Sequence, residues 1–229
     1  MKIVIPDDAP PVMANSAAYR EYTANTTVDY HDTLPGSEDR LIERIRDAGI
    51  VINIRSSSRF TQRVFDACPN LRMLSLWGTG TDNVDLEGAR RRSIAVTNTP
   101  GVAAPAIAEH CLALMLAVAR RIPQIDAEVR AGRWPRGQSV HLTGKTLGII
   151  GLGAIGRRFA KLGEAVGMRV IAWTMHPNPA LGFTLVSLEE VLRASDVVSL
   201  HLRLSDQTRG FAGRAQFELM KHSAIFINT

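Results

Sequence analysis

Two glycine-bearing segments have the residue types and spacing to do chemistry. Gly151-Leu152-Gly153-Ala154-Ile155-Gly156 reads G-x-G-x-x-G, between the apolar run Thr146–Ile150 and a helical Gly156-Arg157-Arg158-Phe159-Ala160. Three glycines alone carry little weight, but a strand before and a helix after supply the context that a dinucleotide pyrophosphate needs. The first glycine makes the tight turn, the second lets the pyrophosphate approach the backbone, and the third packs helix against strand. The anion then rests on the N–H groups of about Ala154 and Ile155, at the positive end of the helix dipole. The second segment, Gly78-Thr79-Gly80, follows the strand-like Asn70–Leu76 and reads as a nest of backbone N–H groups for an anion, or as an ordinary tight turn.

Other residues could serve these two loops. A carboxylate about 20 residues past the glycines usually accepts from the ribose 2′-hydroxyl. Here that position reads Trp173-Thr174-Met175-His176. Thr174 can hydrogen-bond a hydroxyl, His176 or Arg203 can face a 2′-phosphate, and no carboxylate repels one, so NADP is admitted alongside NAD. Arg55, in Arg55-Ser56-Ser57, has a forked guanidinium suited to a carboxylate, and a plain surface arginine is the alternative. Trp77 enters the Gly78 loop, where it walls a pocket or packs in the core. His110 beside Glu109 invites an acid–base reading but is assigned a structural role. His201 ends a strand at the sheet's carboxyl edge, whereas His31, His141 and His222 show neither metal-ligand spacing nor a visible partner.

The elements that must hold these residues alternate along the chain. Strands are expected at Lys2–Ile5, Ile50–Ile54, Asn70–Leu76 and Ile94–Thr97, with helices at Glu38–Gly49 and Asp85–Arg92. From Thr146 the pattern restarts, with strands at Thr146–Ile150, Arg169–Trp173, Val197–His201 and Ala224–Asn228 and helices at Ile155–Val166, Leu188–Ala194 and Arg214–Lys221. Such alternation implies parallel α/β sheets. Pro105–Val118 is apolar on all faces, so a linking helix buried all round is expected, in a domain seam or subunit interface. The boundary is expected at residues 1–100 and 101–229.

Composition excludes other classes. Of 229 residues, 45% are hydrophobic, which suffices for packed cores, and 2 cysteines cannot staple a secreted scaffold. A reducing, cytoplasmic compartment is expected. No run of about 18 apolar residues spans a membrane. The 27 Lys and Arg against 22 Asp and Glu leave a net charge of +5, but Arg90-Arg91-Arg92, Arg120-Arg121 and Arg157-Arg158 are scattered and lack interleaved aromatics, so no nucleic-acid partner is expected.

An ordered series of motifs resembles the D-isomer-specific 2-hydroxyacid dehydrogenases. It runs through Gly78-Thr79-Gly80-Thr81-Asp82-Asn83-Val84-Asp85, Val96-Thr97-Asn98-Thr99-Pro100-Gly101, Ala108-Glu109-His110, Gly132-Arg133-Trp134, Leu142–Gly151, Ser195–His201 and Met220–Thr229. The resemblance implies a flavodoxin-like substrate domain, a Rossmann domain binding NAD or NADP, a small 2-hydroxy or 2-oxo acid substrate, and a homodimer. It places Arg55, Ser56, Trp77, Gly78, Thr79 and Gly80 at the substrate. Gly151, Gly153, Ala154, Ile155, Gly156, Thr174, His201, Leu202, Arg203, Thr208 and Thr229 fall at the cofactor.

Two departures stand out: Arg203 replaces a usual proline, and Val102-Ala103-Ala104-Pro105 is apolar where polar residues are common. The family's catalytic Arg, Glu and His would fall beyond Thr229. The expectation is therefore a Rossmann domain cut short, four strands past Thr146, and a 229-residue chain with little activity of its own. The alternatives are a non-catalytic, corepressor-like cofactor-binding protein or an inactive fragment.

Overall fold

The computed structural model describes residues 1–229 as two compact units, Met1–Val102 and Ala103–Thr229. The first runs β1 (Ile3–Ile5), α1 (Ala17–Asn25), β2 (Val28–Tyr30), α2 (Glu38–Ile45), β3 (Ile50–Asn53), α3 (Gln62–Ala67), β4 (Met73–Leu76), α4 (Leu86–Arg91) and β5 (Ala95–Thr97). Its strands form one parallel sheet in the order β2-β1-β3-β4-β5. Short β-branched runs such as Ile50-Val51-Ile52 suit central strands covered on both faces. One face packs Val4, Val51 and Leu74 against Leu41, Ile45 and Phe65, and the other gathers Ile3, Ile5, Met13 and Ile52 with Tyr19, Tyr22 and Tyr30. Ser16, Ser37, Thr61 and Asp85 each accept a backbone N–H as N-caps, which sets where the four helices begin.

The second unit runs α5 (Ala104–Ala119), α6 (Ile122–Arg130), β6 (Thr146–Ile150), α7 (Ala154–Ala165), β7 (Arg169–Trp173), β8 (Thr184–Leu185), α8 (Leu188–Ala194), β9 (Val197–Leu200), α9 (Arg214–Leu219) and β10 (Ile225–Asn228). Its parallel sheet is ordered β10-β9-β6-β7-β8. In both units the chain therefore leaves every strand at the same sheet edge, and loops bearing function collect there.

The structure departs from the sequence expectation in several places, and α1, β2, α3 and α6 had no expected counterpart. The second sheet has five strands, not four, because β8 is two residues long and leaves no periodic signal. The helix expected to be buried all round is buried along Ala104, Ala108, Cys111, Met115 and Ala119 only, the i, i+4, i+7 stripe of a helix with one covered face. Its Leu114 and Val118 are exposed, and so are Ile122, Ile125 and Val129 on the unforeseen α6. His31 Nε2 comes within 3.3 Å of Asp29 Oδ1, yet it makes no hydrogen bond there.

Candidate functional site

The turn from β6 into α7 is shaped by close backbone approach. Gly151 has φ +102°, and a Cβ there would stand 2.5 Å from the His201 carbonyl oxygen. A Cβ on Gly156 would collide with the Gly151 carbonyl oxygen and lie 3.2 Å from Ile149 Cγ2, so helix and strand meet only if residue 156 is glycine. Gly153 differs, because its φ of −70° and ψ of −166° suit any residue and nothing lies within 4 Å of its Cβ position. It is the N-cap of α7 without a side-chain cap, and the first amide to close a helical bond is that of Arg157, onto Gly153 O at 3.1 Å. The N–H groups of Ala154, Ile155 and Gly156 find no acceptor in the chain. Three converging free donors and an open space above Gly153 fit a pyrophosphate.

The neighbouring strand exits surround this turn. Thr174 is half-buried after β7, its Oγ1 3.5 Å from the His176 N–H, and no carboxylate follows before Glu189. His201 points inward: Nε2 is 2.8 Å from Ser199 Oγ and the ring meets Phe159 edge-on, with centroids 5.9 Å apart. Burial holds its pKa down to about 4, so the ring is neutral near pH 7. Leu202 reaches toward Gly151, with Cδ2 3.1 Å from that glycine's Cβ position, and Arg203 is exposed. Thr208 Oγ1 donates to Arg203 O at 2.6 Å and accepts from Ser205 N–H at 2.8 Å, which ties the hydroxyl into its own turn. Thr229 Oγ1 lies 3.5 Å from Cys111 Sγ.

In the first unit, the loop after β4 presents unpaired donors of its own. Gly78 O accepts from Thr99 N–H at 2.8 Å and Thr79 O accepts from Asn98 Nδ2 at 2.9 Å. No oxygen of the chain accepts from the N–H groups of Gly78, Thr79 or Gly80. A cavity of about 300 Å³ beside the loop is lined by Asn53, Ser56, Trp77, Gly78, Gly80 and Asn83, among others. Trp77 is 46% exposed, so it stands at this cavity outside the core. Arg55 is tethered through Nη2 to Pro10 O at 2.5 Å, while its Nε is buried without a partner.

Below the cavity lies a polar chain that the sequence did not disclose. Asp7 is fully buried and accepts from Ile54 N–H at 2.8 Å and Asn53 Nδ2 at 2.5 Å. Asn53 Oδ1 accepts from Asn83 Nδ2 at 3.0 Å, and Asn83 also donates to Ser58 O at 2.9 Å. Burial pushes the Asp7 carboxyl above the usual carboxylate range, against the hydrogen bonds it accepts. The chain ties the exits of β1, β3 and β4 together. Asn83 sits in a motif already singled out, while Asp7 was not among the candidate residues.

Residues 112–229, just over half the chain, match the family model described as D-isomer specific 2-hydroxyacid dehydrogenase, NAD binding domain. The chain belongs to the D-isomer specific 2-hydroxyacid dehydrogenase family. A glyoxylate reductase of Aeropyrum pernix is 40% identical over 208 residues, which cover 85% of this chain and 62% of that protein. The crystal structure of the TT0316 protein from Thermus thermophilus is similar with a TM-score of 0.90 and 35% identity, over 99% of this chain and 72% of that one. An acyclic imino acid reductase, solved in complex with NADPH and D-Arg, is similar with a TM-score of 0.85 and 28% identity, over 100% of this chain and 74% of that one. The chain thus spans about three fifths of the length of the glyoxylate reductase. Within this dehydrogenase family the matched region includes the whole Gly151–Gly156 turn, and the Gly78–Gly80 loop lies outside it.

Proposed function

We propose that this chain carries the cofactor-binding and carboxylate-binding parts of an NAD(P)-dependent dehydrogenase that exchanges hydride with C2 of a small 2-hydroxy or 2-oxo acid. The observation that carries this reading is a matched pair of strand-exit loops, Gly151–Gly156 and Gly78–Gly80, each with consecutive N–H groups that nothing in the chain satisfies. Unsatisfied donors of this kind are costly unless water or a ligand accepts from them. The nicotinamide of the bound dinucleotide supplies or takes the hydride.

Each group of residues has a separable task. Ala154, Ile155 and Gly156 hold the pyrophosphate, with Leu202 beside the turn. Gly78, Thr79 and Gly80 orient the substrate carboxylate, Ser56 and Trp77 border the cavity, and Arg55, which does not line it, is the remaining candidate for the substrate side. Proton transfer at C2 also needs a general base and a polarising cation, and no residue of 1–229 is assigned to either task. Binding, rather than turnover, is therefore the property this chain can be tested for. Fluorescence titration with NADH and NADPH should give saturable binding of both within about tenfold, because no carboxylate at Thr174–His176 repels a 2′-phosphate. Failure to bind either nucleotide would overturn the reading, and strict NADH preference would overturn the cofactor tolerance.

Leu114, Val118, Ile122, Ile125 and Val129 form an exposed apolar set on α5 and α6, and a second copy of the chain is its proposed cover. Two free, buried cysteines, Cys68 and Cys111, support a reducing, cytoplasmic setting.

A further inference from the structure

We propose that Asn98 is a positioning residue for carboxylate recognition: from the exit of β5 it aims the Gly80 N–H into the anion nest. The inference rests on reading Gly78–Gly80 as the carboxylate site. The argument is one of peptide geometry. A trans peptide is planar, so its C=O and N–H point to opposite sides of the chain. The carbonyl of Gly78 shares a plane with the N–H of Thr79, and the carbonyl of Thr79 shares a plane with the N–H of Gly80. Thr99 N–H holds the first carbonyl at 2.8 Å and Asn98 Nδ2 holds the second at 2.9 Å. Both bonds come from one short segment and pull both carbonyls toward it, which turns both N–H groups away from it.

The two planes are not equally secure. Thr99 uses a main-chain donor, and its Oγ1 adds a second, longer bond to Gly78 O at 3.3 Å. Both planes border a glycine, the residue that resists rotation of a peptide plane least, but the Thr79–Gly80 plane depends on the single amide of Asn98. A carbonyl can only accept, so the amide nitrogen of Asn98, not its oxygen, must face Thr79. Asn98 is exposed and belongs to no packed cluster, so its removal leaves the core intact. What it fixes is a direction rather than a stability.

The test uses the full chain, labelled with ¹⁵N, with oxamate as a carboxylate probe followed at the Thr79 and Gly80 amides. The wild type should show saturable shifts at both amides. Asn98→Ala should bind oxamate about five- to tenfold more weakly, the range expected for one hydrogen bond. Its Gly80 amide should also move in the free protein, while NADH affinity and Tm stay unchanged, which separates loss of aim from loss of fold. Asn98→Asp keeps the shape but cannot donate to Thr79 O, so it should weaken oxamate at least as much and provides the second test if the alanine variant folds poorly. Wild-type binding with both variants within twofold of it overturns the inference and leaves the carboxylate loop standing. Absence of any oxamate response in the wild type overturns both.

Discussion

Gly153 separates two reasons for a glycine to be present, and replacing it by serine isolates one of them. At φ −70° and ψ −166°, with nothing within 4 Å of its Cβ position, the backbone accepts serine without strain. Gly153 is also an uncapped N-cap, a position where serine outranks glycine by a few tenths of a kcal/mol. Reduced freedom of the unfolded chain adds about 0.4–1 kcal/mol. Gly153→Ser should therefore gain about 1 kcal/mol and raise Tm by roughly 2–4 °C for a chain of this size. Yet the new hydroxymethyl group stands where the pyrophosphate approaches, an overpacking cost of about 1–3 kcal/mol, or roughly 5- to 150-fold in affinity. The assay is a thermal scan without ligand beside an NADH titration, with Gly156→Ala as contrast. Alanine at 156 meets the Gly151 carbonyl, so that variant should lose about 1–3 kcal/mol of stability before any ligand is added. A Gly153→Ser protein that binds NADH like the wild type, or that is less stable than it, would refute the reasoning.

Further outcomes follow from buried and exposed groups. His201, held neutral with its pKa down to about 4, binds fewer protons folded than unfolded between pH 4 and about 6.5. Its contribution is therefore complete above about pH 6.5 and is lost as pH falls toward 4, by about 2–3 kcal/mol. In denaturant titrations the stability of wild type relative to His201→Gln should fall by that amount between about pH 6.5 and 4, and parallel pH profiles would contradict this. Asp7→Ala removes the acceptor of Ile54 N–H and one of the two acceptors of Asn53 Nδ2, which keeps Arg55 O, and urea unfolding should show a loss of about 2–4 kcal/mol. A loss under about 0.5 kcal/mol would mean that water replaces the carboxylate. Val118→Glu puts a charge on the exposed face of α5; sedimentation should then show monomer where the wild type is dimeric, and a monomeric wild type would dispose of the proposed cover.

Legibility in the sequence follows the range of the interactions. Strands such as Arg169–Trp173 and the turn at Gly151–Gly156 can be read directly, because an apolar run and a glycine that a close backbone approach requires are local facts. The short α3 and β8 are too brief to show a period, and α1 buries no residue, so its pattern carried no stripe to read. The candidate sites divide the same way. Thr208 looks free to meet a ligand until Ser205 and Arg203, three and five residues away, take up its hydroxyl. Asp7 meets Asn53 across 46 residues and Asn98 meets Thr79 across 19, pairings that only the assembled parallel sheet creates.

The contact between Gly156 and the Gly151 carbonyl has a kinetic consequence. Because strand and helix lock the turn by their own packing, its donors stand in place before any dinucleotide arrives, and no loop has to be ordered around the phosphates. Capture by this cradle is then a single bimolecular encounter: in stopped flow the observed rate should climb in a straight line with nucleotide concentration, without the plateau that a preceding or following rearrangement imposes.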